Sequence, residues 1–128
     1  LARLPKLGAV VVQLPRPGAP LRSVLDAGVP LALGSGGAFR GFDLLRLATV
    51  AALGDERLSM EQAVSAYSHG SAIGEFEDKD KGRLAVGALA DLVVLSRDPF
   101  AAPEEELGTI RAVLTMIGGR PVYDVPRP

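Results

Sequence analysis

Short apolar runs alternate along this chain with turns rich in glycine and proline. Leu7 to Leu14 is a β-rich run closed by Pro15 to Pro20, which predicts a stiff surface loop. Leu21, Val24 and Leu25 recur at helical spacing with Gly28 just past them, so two helical turns are predicted over Leu21–Ala27. Val29–Leu33 reads as a buried strand that leads into Gly34-Ser-Gly-Gly37. Strand, helix and strand in that order predict a βαβ unit with parallel pairing.

A helix is predicted from Asp43 to Leu53, with Leu44, Leu47, Ala48 and Ala51 inward and Gly54 closing it. Ser59-Met-Glu-Gln62 has capping-box spacing, and Ala63, Ala66 and Tyr67 follow on one face. Gly70 is expected to break that helix and Ser71–Phe76 to form another short one, ahead of a charged, solvated connection from Glu75 to Arg83.

Lys81 to Pro99 reads as turn, strand, turn. Gly82 and Gly87 supply positive backbone angles, Leu92-Val93-Val94-Leu95 is expected to be buried on both faces, and Asp98-Pro99 stops the strand. Pro103–Leu107 predicts one helical turn with acids at its positive end, and Ile110–Ile117 a strand. Gly118-Gly119 then predicts a two-residue hairpin into Arg120–Asp124, with a frayed tail beyond. An α/β regime thus gives way near Arg83 to a β meander, and no fixed-period repeat is present.

With 128 residues, 48% of them hydrophobic, there is room for one packed core of aliphatic character, since the chain has no Trp, four Phe and two Tyr. A net charge of −1 gives no field for nucleic acid or anionic lipid, so neither is an expected partner. Zero cysteines remove disulfides, thiolate metal sites and thiol nucleophiles, and fit a reducing, cytoplasmic setting. No apolar run reaches the roughly 18–20 residues that span a bilayer. The chain opens at Leu1 in mid-pattern and reads as a piece of something longer.

Candidate chemistry is sparse. Asp43 stands where a helix cap is predicted, and His69, the one histidine, sits near a helix end where the dipole favours a surface imidazolium. Asp91 and Asp98 flank a strand and read as turn carboxylates bonded to backbone N–H groups. Gly34-Ser-Gly-Gly37 invites an anion cradle, but position 39 is Phe where the dinucleotide fingerprint needs Gly, and no lysine lies between Lys6 and Lys79. Ser35 fails as a nucleophile, because Leu33 stands where the Gly-x-Ser-x-Gly elbow needs Gly and no base is placed.

The run Lys81-Gly82, Gly87, Ala90-Asp91-Leu92-Val93-Val94-Leu95 and Asp98-Pro99 resembles the closing segment of metal-dependent amidohydrolases, especially amidohydrolase family 3. Leu114 to Asp124, with its glycine pair before Arg, Val and Tyr-Asp, resembles that family's final hairpin. Leu58–Ala63, Ala66-Tyr67 and Gly70–Ala72 resemble the helix pair after the last barrel strand, and Ala27–Ser35 resembles that strand. The resemblance implies an α/β fold: residues 1–80 as the last strands and helices of a (β/α)8 TIM barrel, and 81–128 as the C-terminal share of a composite β-sandwich.

It also implies hydrolysis of carbon–nitrogen bonds in an amide or lactam-like small molecule, by water activated at zinc or another divalent metal. The family's ligands are a His-x-His pair, a mid-barrel lysine or acid, two later histidines and an aspartate after the last strand. At the aspartate's position this chain has Gly36, and with one histidine it has no His-x-His. The residues present therefore nominate no catalytic, cofactor-binding or metal-ligating side chain, and the isolated chain is expected to be inactive. The alternative is a scaffold or interaction module that has lost the metal site. A strand such as Leu92–Leu95 with an uncovered edge also predicts marginal stability or self-association into a homo-oligomer.

Overall fold

The structure, a computed structural model, describes residue 1 and residues 3–34 and 54–125. After a 3-10 turn at Pro5–Leu7, strand β1 (Val11–Gln13), helix α1 (Leu21–Asp26) and strand β2 (Leu31–Leu33) form the predicted unit. The strands pair in parallel with Val11 opposite Leu31 and Gln13 opposite Leu33. Both strands are shorter than the apolar runs that hold them. The loop between β1 and α1 differs from its prediction as a surface segment: Pro15 and Ala19 are buried, and only its middle faces solvent. The predicted helix from Asp43 to Leu53 lies outside the described residues.

A six-residue helix is too short to stand alone in water, so packing must hold α1. Leu21 and Val24 are fully buried, in a cluster with Val29, Leu31, Leu33, Leu58, Ala63 and Ala66. Pro20 offers no side-chain cap. The cap comes from a distance instead: the Ser23 N–H donates to Glu56 Oε2 at 3.0 Å, and the Ser23 hydroxyl donates to Oε1 of the same carboxylate. These donors hold the Glu56 carboxyl below its ordinary range. Arg22 adds two guanidinium bonds to the Arg57 carbonyl, at 3.3 and 3.2 Å, which fasten the segment that delivers Leu58 to the core.

Helix α2 (Met60–Tyr67) starts as its sequence predicts. Ser59 Oγ accepts from the Gln62 N–H at 3.2 Å while Gln62 Oε1 accepts from the Ser59 N–H at 3.0 Å, a complete capping box. Ala63 and Ala66 face inward, but Tyr67, expected on the same face, is exposed. Helix α3 (His69–Gly74) follows after a break at Ser68, whose ψ of −79° leaves the helical run.

Gly70 is therefore not the breaker. It lies buried inside α3, and a Cβ there would sit 3.0 Å from the carbonyl carbon of Leu31 and overlap its oxygen. The missing side chain is what lets α3 lie directly on β2. Gly82 plays the matching part from outside: at φ +84° its Cα side approaches His69 and Ala72, where a Cβ would meet Ala72 Cβ at 2.8 Å. The connection from Glu75 to Arg83 is charged and solvated as predicted, with no residue buried. Lys81 pairs with Glu75, and Arg83 donates to the carbonyls of Asp78 and Lys79. The Glu75 partner raises the Lys81 ammonium above its ordinary range.

The last third is an antiparallel sheet in the order β3 (Leu92–Leu95), β4 (Ala112–Ile117), β5 (Arg120–Asp124). Gly118 and Gly119 turn β4 into β5 with φ of 55° and 77°, the doubly positive pair a primed hairpin requires. Between β3 and β4 a 3-10 turn at Glu104–Thr109 follows Pro103. The expectation of a β3 buried on both faces is corrected here. β3 is an edge strand among the described residues, with Val93 51% and Val94 40% exposed. Neither α2 nor α3 reaches over this sheet as they do over β2, so its apolar run stands uncovered.

Candidate functional site

In parallel α/β units the ligand-facing end is the carboxyl end of the strands, where loops leave the sheet. Here that end is built from Gln13 and Leu33-Gly34. The Gly34 N–H donates to the Gln13 carbonyl at 3.1 Å, carrying the pairing one step past β2. Ser71, on α3, fixes the same end from behind: its hydroxyl donates to the Leu33 carbonyl at 3.0 Å and lies 3.3 Å from that of Ala66. Gly70 and Ser71 thus set the height of the strand exit, one by absence of a side chain and one by a hydrogen bond. Ser35, Gly36, Gly37 and Asp43, which follow this exit, lie outside the described residues.

A cleft of about 410 Å³ opens at the other end of β2. Leu25, Pro30, Leu31, Ala66 and Ile73 make its apolar wall, and Glu61, Gln62, Ser65 and His69 its polar rim. The Glu61 carboxyl is held below its ordinary range by its own backbone N–H and by the Ser59 hydroxyl. His69 lies just past the end of α2, with Ser68 between, and is the first residue of α3. It is half-buried, and its Nδ1 is enclosed without a hydrogen-bond partner. The side chain is thus half-buried where a surface position was expected, and Gly82 packs against the His69 Cα.

Asp91 and Asp98 do not line this cleft. Asp91 Oδ1 accepts from the Gly118 N–H at 2.7 Å, tying the start of β3 to the hairpin. Asp98 Oδ1 accepts from the Phe100 N–H at 2.8 Å, a local turn bond. Among the described residues no three His, Asp or Glu side chains gather in a way that could hold a metal ion. The donor set is wrong for zinc as well as dispersed: one half-buried imidazole, and carboxylates engaged by backbone N–H groups. These residues do not fit the metal the family resemblance implies. Among the described residues no helix is long and apolar enough to cross a membrane.

Sequence reasoning missed Glu56, Ser71 and the packing role of Gly70. Ser23 and Glu56 are far apart in sequence, so no local pattern pairs them. Gly70-Ser71-Ala72 did carry a signal, three small residues in a row, which marks close approach as well as helix breaking.

Residues 8–123 match the model of the amidohydrolase family, family 3. A curated relative from Bacillus subtilis (strain 168), named "Putative amidohydrolase YtcJ", is 38% identical over 69 residues, covering 54% of this chain and 13% of the relative. The matched part is thus a small share of that protein's length.

Proposed function

The chain belongs to the amidohydrolase family, and we propose that it is the C-terminal part of a longer hydrolase that acts on carbon–nitrogen bonds in amide or lactam-like small molecules. The match over residues 8–123 is the observation that carries this reading. The parallel β1–α1–β2 unit supports residues 1–80 as the closing strands and helices of a (β/α)8 barrel. The antiparallel β3–β4–β5 sheet supports 81–128 as one share of a composite β-sandwich. In such a parent a divalent metal, zinc foremost, would activate water and polarise the scissile carbonyl. Among the described residues no group of side chains could supply its ligands, so no step is assigned to them. Their part is framework: Gly70 and Ser71 hold the exit of β2 at the level where the parent's site would open.

A second reading rests on Gly36, which stands where the family's metal-touching aspartate is expected and has no side chain for a proton or a metal. On that reading the parent keeps the fold and serves as a scaffold. One experiment separates the two. The longest natural product containing this chain, supplied with zinc, is assayed against simple amides and lactams beside its Gly36→Asp variant and the 128-residue chain alone. Turnover by the long unmodified product, and none by the 128-residue chain, is the expected outcome. Turnover by the short chain would refute the framework role, and turnover that appears only after Gly36→Asp would favour the scaffold.

A further inference from the structure

The pairing of β1 with β2 fixes which way the peptide groups of β2 point. The Val11 N–H donates to the Pro30 carbonyl at 2.9 Å and the Gly34 N–H to the Gln13 carbonyl at 3.1 Å, with Val12 opposite Ala32. Peptide groups alternate along a strand, so the N–H and C=O of Leu31 and Leu33 point away from β1, to the outer edge. Among the described residues no strand stands at that edge. Helix α3 stands there instead. The Ser71 hydroxyl donates to the Leu33 carbonyl at 3.0 Å, and Gly70 lies so close to the Leu31 carbonyl oxygen that a Cβ would overlap it. From the edge α3 passes across a face of the pair. A Cβ built on Gly74 would lie 3.6 Å from the Ala32 Cβ and 3.9 Å from methyl groups of Val10 and Val12. That face is opposite the one on which Leu31 and Leu33 pack with Leu21 and Val24 of α1.

We infer that α3 is a displaceable plug: in the 128-residue chain it occupies the edge and face of β2 that a further strand of the parent takes up, and it swings aside when that strand pairs. The inference rests on the reading of residues 1–80 as the end of a barrel. In a closed barrel every strand is paired on both edges, the crossover helices lie outside, and the face turned away from them looks inward. Here the crossover helix α1 marks the outside. Helix α3 therefore stands on the inward face as well as on the open edge, and a closed barrel leaves it neither place. Its build allows it to leave. Six residues are too few for a helix to stand alone in water. Gly70 and Gly74 meet the strands without side chains, and the side-chain hydrogen bond to β2 comes from Ser71. Ser68 alone separates α3 from α2, and its ψ of −79° already departs from the helix, as a hinge residue must. In the chain alone Gly70 and Ser71 hold the exit of β2; in the parent that hold passes to the backbone of the added strand.

Because the chain has no cysteine, an introduced pair can report where α3 lies. The 3.6 Å between the Ala32 Cβ and a Cβ at Gly74 falls within the span of a disulfide. A double variant, Ala32→Cys with Gly74→Cys, is expected to oxidise to the internal disulfide in the 128-residue chain. The same pair is expected to stay largely reduced in the longest natural product that contains the chain. Amide hydrogen exchange on the two unmodified proteins gives a second readout that needs no substitution. In the short chain the Leu31 and Leu33 amides should exchange faster than that of Ala32, which faces β1; in the long product all three should be protected alike. A disulfide that forms equally in both proteins, the same alternation of exchange in both, or a folded short chain whose pair does not oxidise would each overturn the inference. Hydrolysis by the unmodified long product is assayed separately, so a parent without activity and a plug that does not move are told apart.

Discussion

β2 and β3 carry the same message in sequence and meet opposite fates. Leu31-Ala32-Leu33 and Leu92-Val93-Val94-Leu95 are both short apolar runs bounded by turns. All three residues of β2 are buried, beneath α2 and α3, while β3 keeps both of its central valines in the open. The difference lies in what the intervening chain supplies. Around β2 it supplies helices with small inward residues, Ala63, Ala66, Gly70 and Ala72, which can come down close on a strand. Around β3 it supplies turns and one 3-10 segment, which pair with the strand's ends and cover neither face. An apolar run states what a strand can bury; it does not state that a cover is present.

Gly70→Ala is the hardest test of that contrast. Its Cβ would press on the Leu31 backbone, and backbone cannot rotate away as a side chain can. A loss of about 3 kcal/mol or more is expected in urea unfolding, at the upper end of overpacking costs. A change within experimental error would mean that α3 does not lie on β2 in this way. Leu21→Ala, at a fully buried position, should cost about 2–5 kcal/mol. Val93→Ala, on the open strand, should stay within about 0.5 kcal/mol. Equal losses at the two positions would erase the distinction between the regions.

Smaller effects sharpen the account of how α1 and α2 are held. Ser59→Ala breaks one arm of the capping box and should cost about 1 kcal/mol. Glu56→Gln tests the distant cap on α1 through pH. The folded carboxyl sits below its ordinary value of 4.5 because Ser23 donates to it. Its contribution is therefore present above that value and fades as pH falls through the folded one. The unchanged chain should lose melting temperature on acidification below 4.5 more steeply than Glu56→Gln does. Parallel curves would show that the carboxylate is not what caps the helix.

Much of the fold is legible in the residues because local chemistry decides it. Ser59 and Gln62 form the predicted box, Gly118-Gly119 the predicted hairpin, and the β1–α1–β2 order the predicted parallel pair. What escapes is decided by residues distant in sequence: Glu56 reaching Ser23, Ser71 reaching Leu33, and Gly70 read as a breaker when its partner is a strand about forty residues upstream. The family is legible from the Ala90–Leu95 and Leu114–Asp124 runs, and the match over residues 8–123 agrees with it. The candidate site is legible only as a deficit, because glycine at position 36 and a single histidine are facts of composition. The cleft beside His69 is not, since four separate elements, α1, β2, α2 and α3, create it.

On the function proposed above, this chain supplies framework to a longer amidohydrolase and leaves the metal ligands to the rest of it. Calorimetric titration of Zn²⁺ into the 128-residue chain at neutral pH addresses it most directly. The account predicts no stoichiometric binding and no shift in melting temperature beyond that caused by Mg²⁺. Binding of one equivalent with micromolar or tighter affinity, abolished by His69→Ala, would contradict it.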